Sequence, residues 1–183
     1  MIQERNTLTG RSIPVVADRL SVSEAPDCAR LALRVHPDDR AAIVAAAGIA
    51  LPDRIGGVEA TTSCLALCLG PDEWYLLLSD EQAAALKERM KAAIAPFSLV
   101  DVGHREVGID VKGSAATLAL SSICALDLEG MGAGSATRTI LDKAQAVLVK
   151  RSDTHYRIEV WQSFSEHVWT LLDVVSREIA SGV

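Results

Sequence analysis

The sequence predicts an α+β fold in which a β-α-β-β-α unit occurs twice in tandem. The units would be related by pseudo-twofold symmetry, with helices packed on antiparallel sheets. Three observations carry this expectation. Apolar side chains alternate at Leu31, Leu33 and Val35, and again at Val107, Ile109 and Val111, the two-residue period of a half-buried strand. Turn residues separate apolar runs in both halves, at Gly70-Pro71-Asp72 and at Ser152-Asp153-Thr154. The halves also align beyond their first strands. Trp74 falls on Tyr156, and Leu86, Met90, Ala93 and Phe97 fall on Val168, Leu172, Val175 and Ile179. The offset is larger here than for the first strands, which places an insertion in the second half, where a glycine-rich stretch lies.

Taken in order, residues 1–27 have mixed polarity and no sustained period, and predict an extended N-terminal arm. A strand over 30–35 follows. Pro37 suits the first position of a helix, with Asp38 and Asp39 at its positive end, and the helix ends near Gly48. Residues 52–57 read as loop. Strands 61–69 and 73–79 form a hairpin across Gly-Pro-Asp. Asp80 is the expected cap of a helix carrying Ala83, Leu86, Met90, Ala93 and Phe97. Strand 98–102 completes one ferredoxin-like unit. The second half gives strand 107–111, then a helix from Gly113-Ser114 that carries Leu118, Ile123 and Leu126. The stretch Glu129–Ser135, strands 138–150 and 155–161, and an amphipathic helix over 163–180 complete it. The expected domains are the arm, 1–27, and one body of two halves, 28–103 and 104–183.

Composition limits the function. With 18 basic and 24 acidic residues the net charge is −6, which argues against nucleic acid, a partner that demands a basic face. The apolar runs are shorter than the roughly 20 residues a membrane span needs. The polar opening Met1-Ile2-Gln3-Glu4-Arg5-Asn6 predicts no secretory signal, so a cytoplasmic location is expected. The four cysteines do not have the spacing of a disulfide framework. Cys64 and Cys68 lie on one expected strand, about 13 Å apart, too far to share a zinc ion or a disulfide.

No catalytic set emerges. Gly130-x-Gly132-x-Gly134 has its third glycine one position early for a dinucleotide fingerprint, and it precedes a strand rather than opening a helix. In Asp101-Val102-Gly103-His104-Arg105 a carboxylate meets an imidazole only if the chain turns at Gly103. Ser121-Ser122 has no nucleophile elbow around it. His36, His155 and His167 read as helix-entry, turn and interfacial residues, and no His, Cys, Asp or Glu pair has metal spacing. Only 4% of the chain is aromatic, so Trp74, Tyr75, Trp161 and Trp169 carry much of its large contact area. Aromatic residues and Arg are enriched in interface cores. These four, with His104 and Arg105, are the expected partner contacts.

Several segments resemble the gamma subunits of heterotetrameric sarcosine oxidase. Leu69-Gly70-Pro71-Asp72-Glu73-Trp74 is similar to the Leu-Gly-Pro-Asp-Glu-Trp signature of that family. Asp101-Val102-Gly103-His104-Arg105 resembles its Asp-Val-Ser-His-Arg, with Gly103 in place of serine. Cys124-Ala125-Leu126-Asp127-Leu128 resembles Cys-x-Leu-Asp-Leu, and Arg138-Thr139 and Ser163–Trp169 match further segments. Lys112-Gly113-Ser114 departs from the Ser-Gly-Pro that the broader family favours. The resemblance spans roughly residues 28–180. It implies a subunit without its own active site, in a complex that demethylates sarcosine to glycine with tetrahydrofolate and oxygen. The subunit would assemble with or stabilise the large flavoprotein subunits, chiefly alpha. The resemblance places the flavins, NAD, zinc and tetrahydrofolate on those partner subunits and no cofactor in this chain. It also implies the fold of the folate-binding domain of aminomethyltransferases. The alternative is a stand-alone folate-binding or one-carbon-transfer domain, with Asp101 or Asp127 receiving the donors of a pterin. A third option is a metal or thiol enzyme using Cys64 and Cys68.

Overall fold

The computed structural model describes residues 7–16 and 19–182. In chain order the elements are β1 (Ser21–Glu24), β2 (Ala29–Val35), a 3-10 turn (Pro37–Asp39), α1 (Arg40–Ala47), β3 (Val58–Ala60), β4 (Cys64–Gly70), β5 (Glu73–Leu78), α2 (Asp80–Met90) and β6 (Phe97–Asp101). A second 3-10 turn (Gly103–Arg105) leads to β7 (Glu106–Lys112), α3 (Ala116–Ser121), β8 (Ser135–Leu141), β9 (Ala144–Ser152), β10 (His155–Trp161) and α4 (Gln162–Ser181). The fold is α+β, with two antiparallel five-stranded sheets. The chain divides into a central unit, Asp27–His104, and a split unit, made of the residues up to Pro26 and those from Arg105 onward.

The sheet of the central unit has the order β3-β4-β5-β2-β6. Its core joins Leu31, Leu33 and Val35 of β2 to Ile43 and Ala47 of α1, Trp74, Leu76 and Leu78 of β5, and Leu86 and Met90 of α2. The Gly-Pro-Asp-Glu-Trp turn has a clear physical role here. Asp72 and Glu73 pair with the two ends of the Arg34 guanidinium, at 3.0 and 3.1 Å. The next residue, Trp74, enters the core, and its indole N–H donates to the Pro52 carbonyl at 2.9 Å. α1 ends on Gly48, whose φ of 63° is the left-handed conformation glycine adopts without strain. The Arg89 side chain of α2 donates to the Ala47 carbonyl at that same end, at 2.8 Å.

Two details of α2 differ from the sequence expectation. Its cap is Ser79, whose hydroxyl accepts from the Gln82 N–H, and Asp80 is the first helical residue. Its last residue is Met90, so Phe97 belongs to β6 rather than to the helix face. Pro96 explains this, because proline disfavours helical backbone in the residue before it. The short β3 was not anticipated.

The sheet of the split unit has the order β1-β7-β10-β9-β8. The N-terminal segment supplies β1, paired with β7 from Ser21↔Lys112 to Glu24↔Ile109, and it places Leu8, Ile13, Val16, Leu20 and Val22 in the core. There they meet Ile109, Val111, Leu148, Tyr156, Ile158 and the α4 residues Val168, Trp169 and Leu172. At Gly113 φ is +121°, and a Cβ would lie 2.2 Å from the Arg19 carbonyl oxygen, so glycine is required. The expected strand 138–150 is two strands, because the chain turns at Asp142-Lys143 with Asp142 at φ 53°, a conformation Asp tolerates better than most residues. The second-half helix is also shorter than expected, and Ile123 and Leu126 lie beyond its end at Ser121. Among the described residues no helix is long and apolar enough to cross a membrane.

Candidate functional site

Burial sorts the six expected contact residues. Trp74, Tyr75 and Trp169 are buried, so as side chains of this chain they do not offer a surface; this corrects the expectation for those three. The cause is periodicity. Trp74 alternates with Leu76 and Leu78 into the central core, Tyr75 lies on the other face of β5, and Trp169 belongs to the buried side of α4 with Val168 and Leu172. Trp161 is 41% exposed, and His104 and Arg105 are exposed.

In the central unit, the Asp101 segment makes the turn that Gly103 permits. The Asp101 carboxylate accepts from the Lys87 ammonium at 2.8 Å and from the Gly103 N–H at 3.0 Å. These two hydrogen bonds, Lys87 first, hold its carboxyl below the ordinary value, helped by the charges of Lys87 and His104. Asp101 therefore remains an anion that anchors the turn before His104. Its lowered value is the opposite of what a general acid needs, and both carboxylate oxygens already accept, one from Lys87 and one from Gly103. Cys64 and Cys68 are free thiols in β4, and burial raises the pKa of both, so they are poor nucleophiles. Among the described residues no three His, Cys, Asp or Glu side chains form a group that could hold a metal ion.

In the split unit, β7 and β10 bring Arg105, Glu106 and Trp161 together. Glu106 is the register partner of Trp161, and the Arg105 guanidinium lies 5.4 Å from the centre of the Trp161 ring. Along the same face of the sheet lies a row of charges that the sequence reading missed. Arg157 and Glu159 are buried and paired at 2.6 Å. Asp110 accepts from Lys112 at 3.0 Å and meets His155 at 3.1 Å. Burial pushes the Asp110 carboxyl up, but the hydrogen bonds and charges of Lys112 and His155 outweigh it and leave the net value lowered. Gly108 lies beneath the Arg157–Glu159 pair, and a Cβ there would come within about 3 Å of both side chains. Alternating charges on a strand normally mark a solvated face, so nothing in the local sequence distinguished these from surface residues.

The other candidates have structural roles. Asp127 accepts from the Gly130 N–H and shapes the glycine-rich loop. The Ser122 hydroxyl donates to the Leu118 carbonyl, and His167 meets Asp142 at 2.8 Å, tying α4 to the β8–β9 turn. The Leu128 carbonyl, in the Cys-x-Leu-Asp-Leu segment, accepts from the buried Lys150 ammonium at 3.0 Å and from the Tyr156 hydroxyl at 3.4 Å.

The model of the sarcosine oxidase, gamma subunit family matches residues 34–178. The chain is 32% identical over 172 residues to sarcosine oxidase subunit gamma of Corynebacterium sp. strain U-96, covering 90% of this chain and 83% of the relative. It is 33% identical over 147 residues to the subunit gamma of Corynebacterium sp. strain P-1, covering 77% and 71%. Among solved structures, it is similar to a chain of the heterotetrameric sarcosine oxidase from Corynebacterium sp. U-96 in complex with pyrrole 2-carboxylate. That match has a TM-score of 0.81 and 27% identity, over 91% of this chain and 88% of the other. The glycine cleavage system aminomethyltransferase T from Bartonella henselae has a TM-score of 0.64 at 11% identity, over 91% of this chain and 47% of that one, a likeness of fold alone.

Proposed function

The chain belongs to the sarcosine oxidase gamma subunit family, and from that premise we propose that it is a subunit without an active site of its own. Its role is to assemble with and stabilise the large flavoprotein subunits, chiefly alpha, of a heterotetrameric sarcosine oxidase. The observation that carries this reading is the similarity, over nearly its whole length, to a chain of a heterotetrameric enzyme. The chemistry of the described residues supports it, since the buried carboxylates Asp110 and Glu159 are in ion pairs and the thiols of Cys64, Cys68 and Cys124 are packed in the cores. In this reading the flavins, NAD, zinc and tetrahydrofolate are held by the other subunits. The two units are copies of one ferredoxin-like plan, one formed by Asp27–His104 and the other by the residues from Arg105 onward with the N-terminal segment supplying its edge strand β1. The matching strand orders β3-β4-β5-β2-β6 and β8-β9-β10-β7-β1 support that duplication.

Coexpression with the large subunits, followed by size-exclusion chromatography, tests the assignment. The expected result is coelution and a higher unfolding temperature of the flavoprotein than in its absence. A chain that elutes alone and leaves that temperature unchanged overturns the assembly role. Demethylation of sarcosine by the isolated chain, or its binding of tetrahydrofolate at micromolar concentration, overturns the inactive assignment.

A further inference from the structure

One row of the split-unit sheet ends in exposed side chains instead of packed ones. Glu106 and Trp161 are register partners, and the β9–β10 ladder closes at Val160↔Ala146, which sets Gln145 beside Trp161 at the next step. Gln145 in turn pairs with Ile140 of β8. Ile140, Gln145 and Trp161 therefore follow one another on three adjacent strands and on one face, with Ile140 and Trp161 about 10 Å apart at the ordinary strand spacing. All three are exposed, Ile140 at 58% and Trp161 at 41%. An exposed β-branched side chain and an exposed tryptophan in one row form an apolar surface that water solvates poorly.

The charge of this row differs from that of the chain. The protein carries −6, yet two basic side chains flank the row, Arg105 stacked on Trp161 and Lys143 in the turn beside the Ile140–Gln145 pair. The neighbouring acid Glu106 is tucked in, its side chain 10% exposed and 4.0 Å from Arg105 Nε, while the Arg105 side chain is 64% exposed. A guanidinium has five donors, so the Nη groups remain available to a second carboxylate. In that turn the half-exposed Asp142 meets His167 at 2.8 Å, and Glu159, on the same face of β10 as Trp161, is buried against Arg157.

We propose that the row Ile140–Gln145–Trp161, with Arg105 stacked on its tryptophan, is the docking surface for a partner-subunit segment that presents a carboxylate beside an apolar side chain. The proposal rests on the assembly reading above and gives it a location and a chemistry. Tryptophan and arginine are the residue types that most often dominate binding energy at such surfaces.

The test uses the full chain with the remaining subunits of the heterotetramer, and measures affinity for wild type, Trp161→Ala, Arg105→Gln and Arg105→Glu. Trp161→Ala and Arg105→Glu are expected to weaken binding at least tenfold. Wild-type affinity should fall as salt rises from about 50 to about 500 mM, and Arg105→Gln should flatten that dependence, because exposed charge pairs are screened. The Arg105 side chain is largely exposed, so its variants should unfold at the wild-type temperature and control for packing lost at the partly buried Trp161, and Ile94→Ser on the central unit should bind as wild type. If wild type binds and the Trp161 and Arg105 variants bind equally well, this surface is overturned while the assembly role stands. If Trp161→Ala weakens binding but the salt dependence is the same in wild type and Arg105→Gln, the acidic partner chemistry is overturned. If Trp161→Ala alters only self-association, the occupant is a second copy and the proposal falls. If wild type does not bind, the assembly role itself falls, and this proposal with it.

Discussion

The two units follow one strand order but fill it differently. Facing away from its core cluster, β5 of the central unit carries Tyr75 and Leu77, whereas β10 of the split unit carries Arg157 and Glu159. All four side chains are buried. The same backbone plan therefore accepts either apolar packing or paired ions at these positions, on condition that no charge is left alone. The units also differ in how they acquire the edge strand next to their first long strand. β6 follows α2 within the central unit, while β1 comes to β7 from the opposite end of the chain. The central unit is local in sequence and the split unit is not.

The largest expected effect exploits that dependence on the N-terminal segment. Leu8→Ala and Leu20→Ala each empty a fully buried site in the split core and should cost on the order of 2–5 kcal/mol. Native-state hydrogen exchange should show protection falling first in β1 and β7, with β2 and β5 retained; equal loss in both units would break the contrast. Trp74→Ala is the matching lesion in the central unit, at about 3–5 kcal/mol by denaturant unfolding, with β2 and β5 now losing protection first.

The buried pair comes next. Arg157→Met alone should destabilise by about 3–5 kcal/mol, because it removes the ion-pair partner 2.6 Å from the buried Glu159 carboxylate, and the double change Arg157→Met with Glu159→Leu should cost less than that. A double variant that costs the sum of the singles would show that these positions require ions, contrary to the comparison with Tyr75 and Leu77. A smaller effect is expected from Asp110. Its folded value is depressed, so its contribution is complete above the unfolded value near 3.9 and is lost as pH falls through the lower folded value. Asp110→Asn should therefore flatten the acid side of the stability curve below about pH 4 and leave its shape at neutral pH unchanged. Smallest is Lys87→Met. The Lys87–Asp101 pair is nearly half exposed on both sides and should contribute less than about 1 kcal/mol, decreasing with salt.

Much of this architecture was legible from period and turn chemistry. The Gly-Pro-Asp hairpin, the alternation of β2 and β7, and the 3.6-residue stripe of α4 are local signals, and each lies where the sequence placed it. The misses have physical causes. Asp142-Lys143 is a tight turn without glycine or proline, so β8 and β9 read as one strand, and the alignment of Ile140 with Trp161 stayed hidden. β1 has too few residues to show a period, and its partner lies far along the chain. The buried ions of β7 and β10 carry the pattern of a solvated face. The partner contacts were only partly readable, because residue type marked the aromatics while tertiary packing decided which of them remain at the surface.

The pairing of β1 with β7 also sets the timetable of synthesis. At about 5–20 residues per second, β1 leaves the ribosome roughly 4–16 s before β7 exists. Through that interval every residue of the central unit is translated, so its sheet can close while β1 still has no neighbour. A segment made early is thus among the last to find its place, and until then Leu20 and Val22 stay open to chaperones and to other nascent chains.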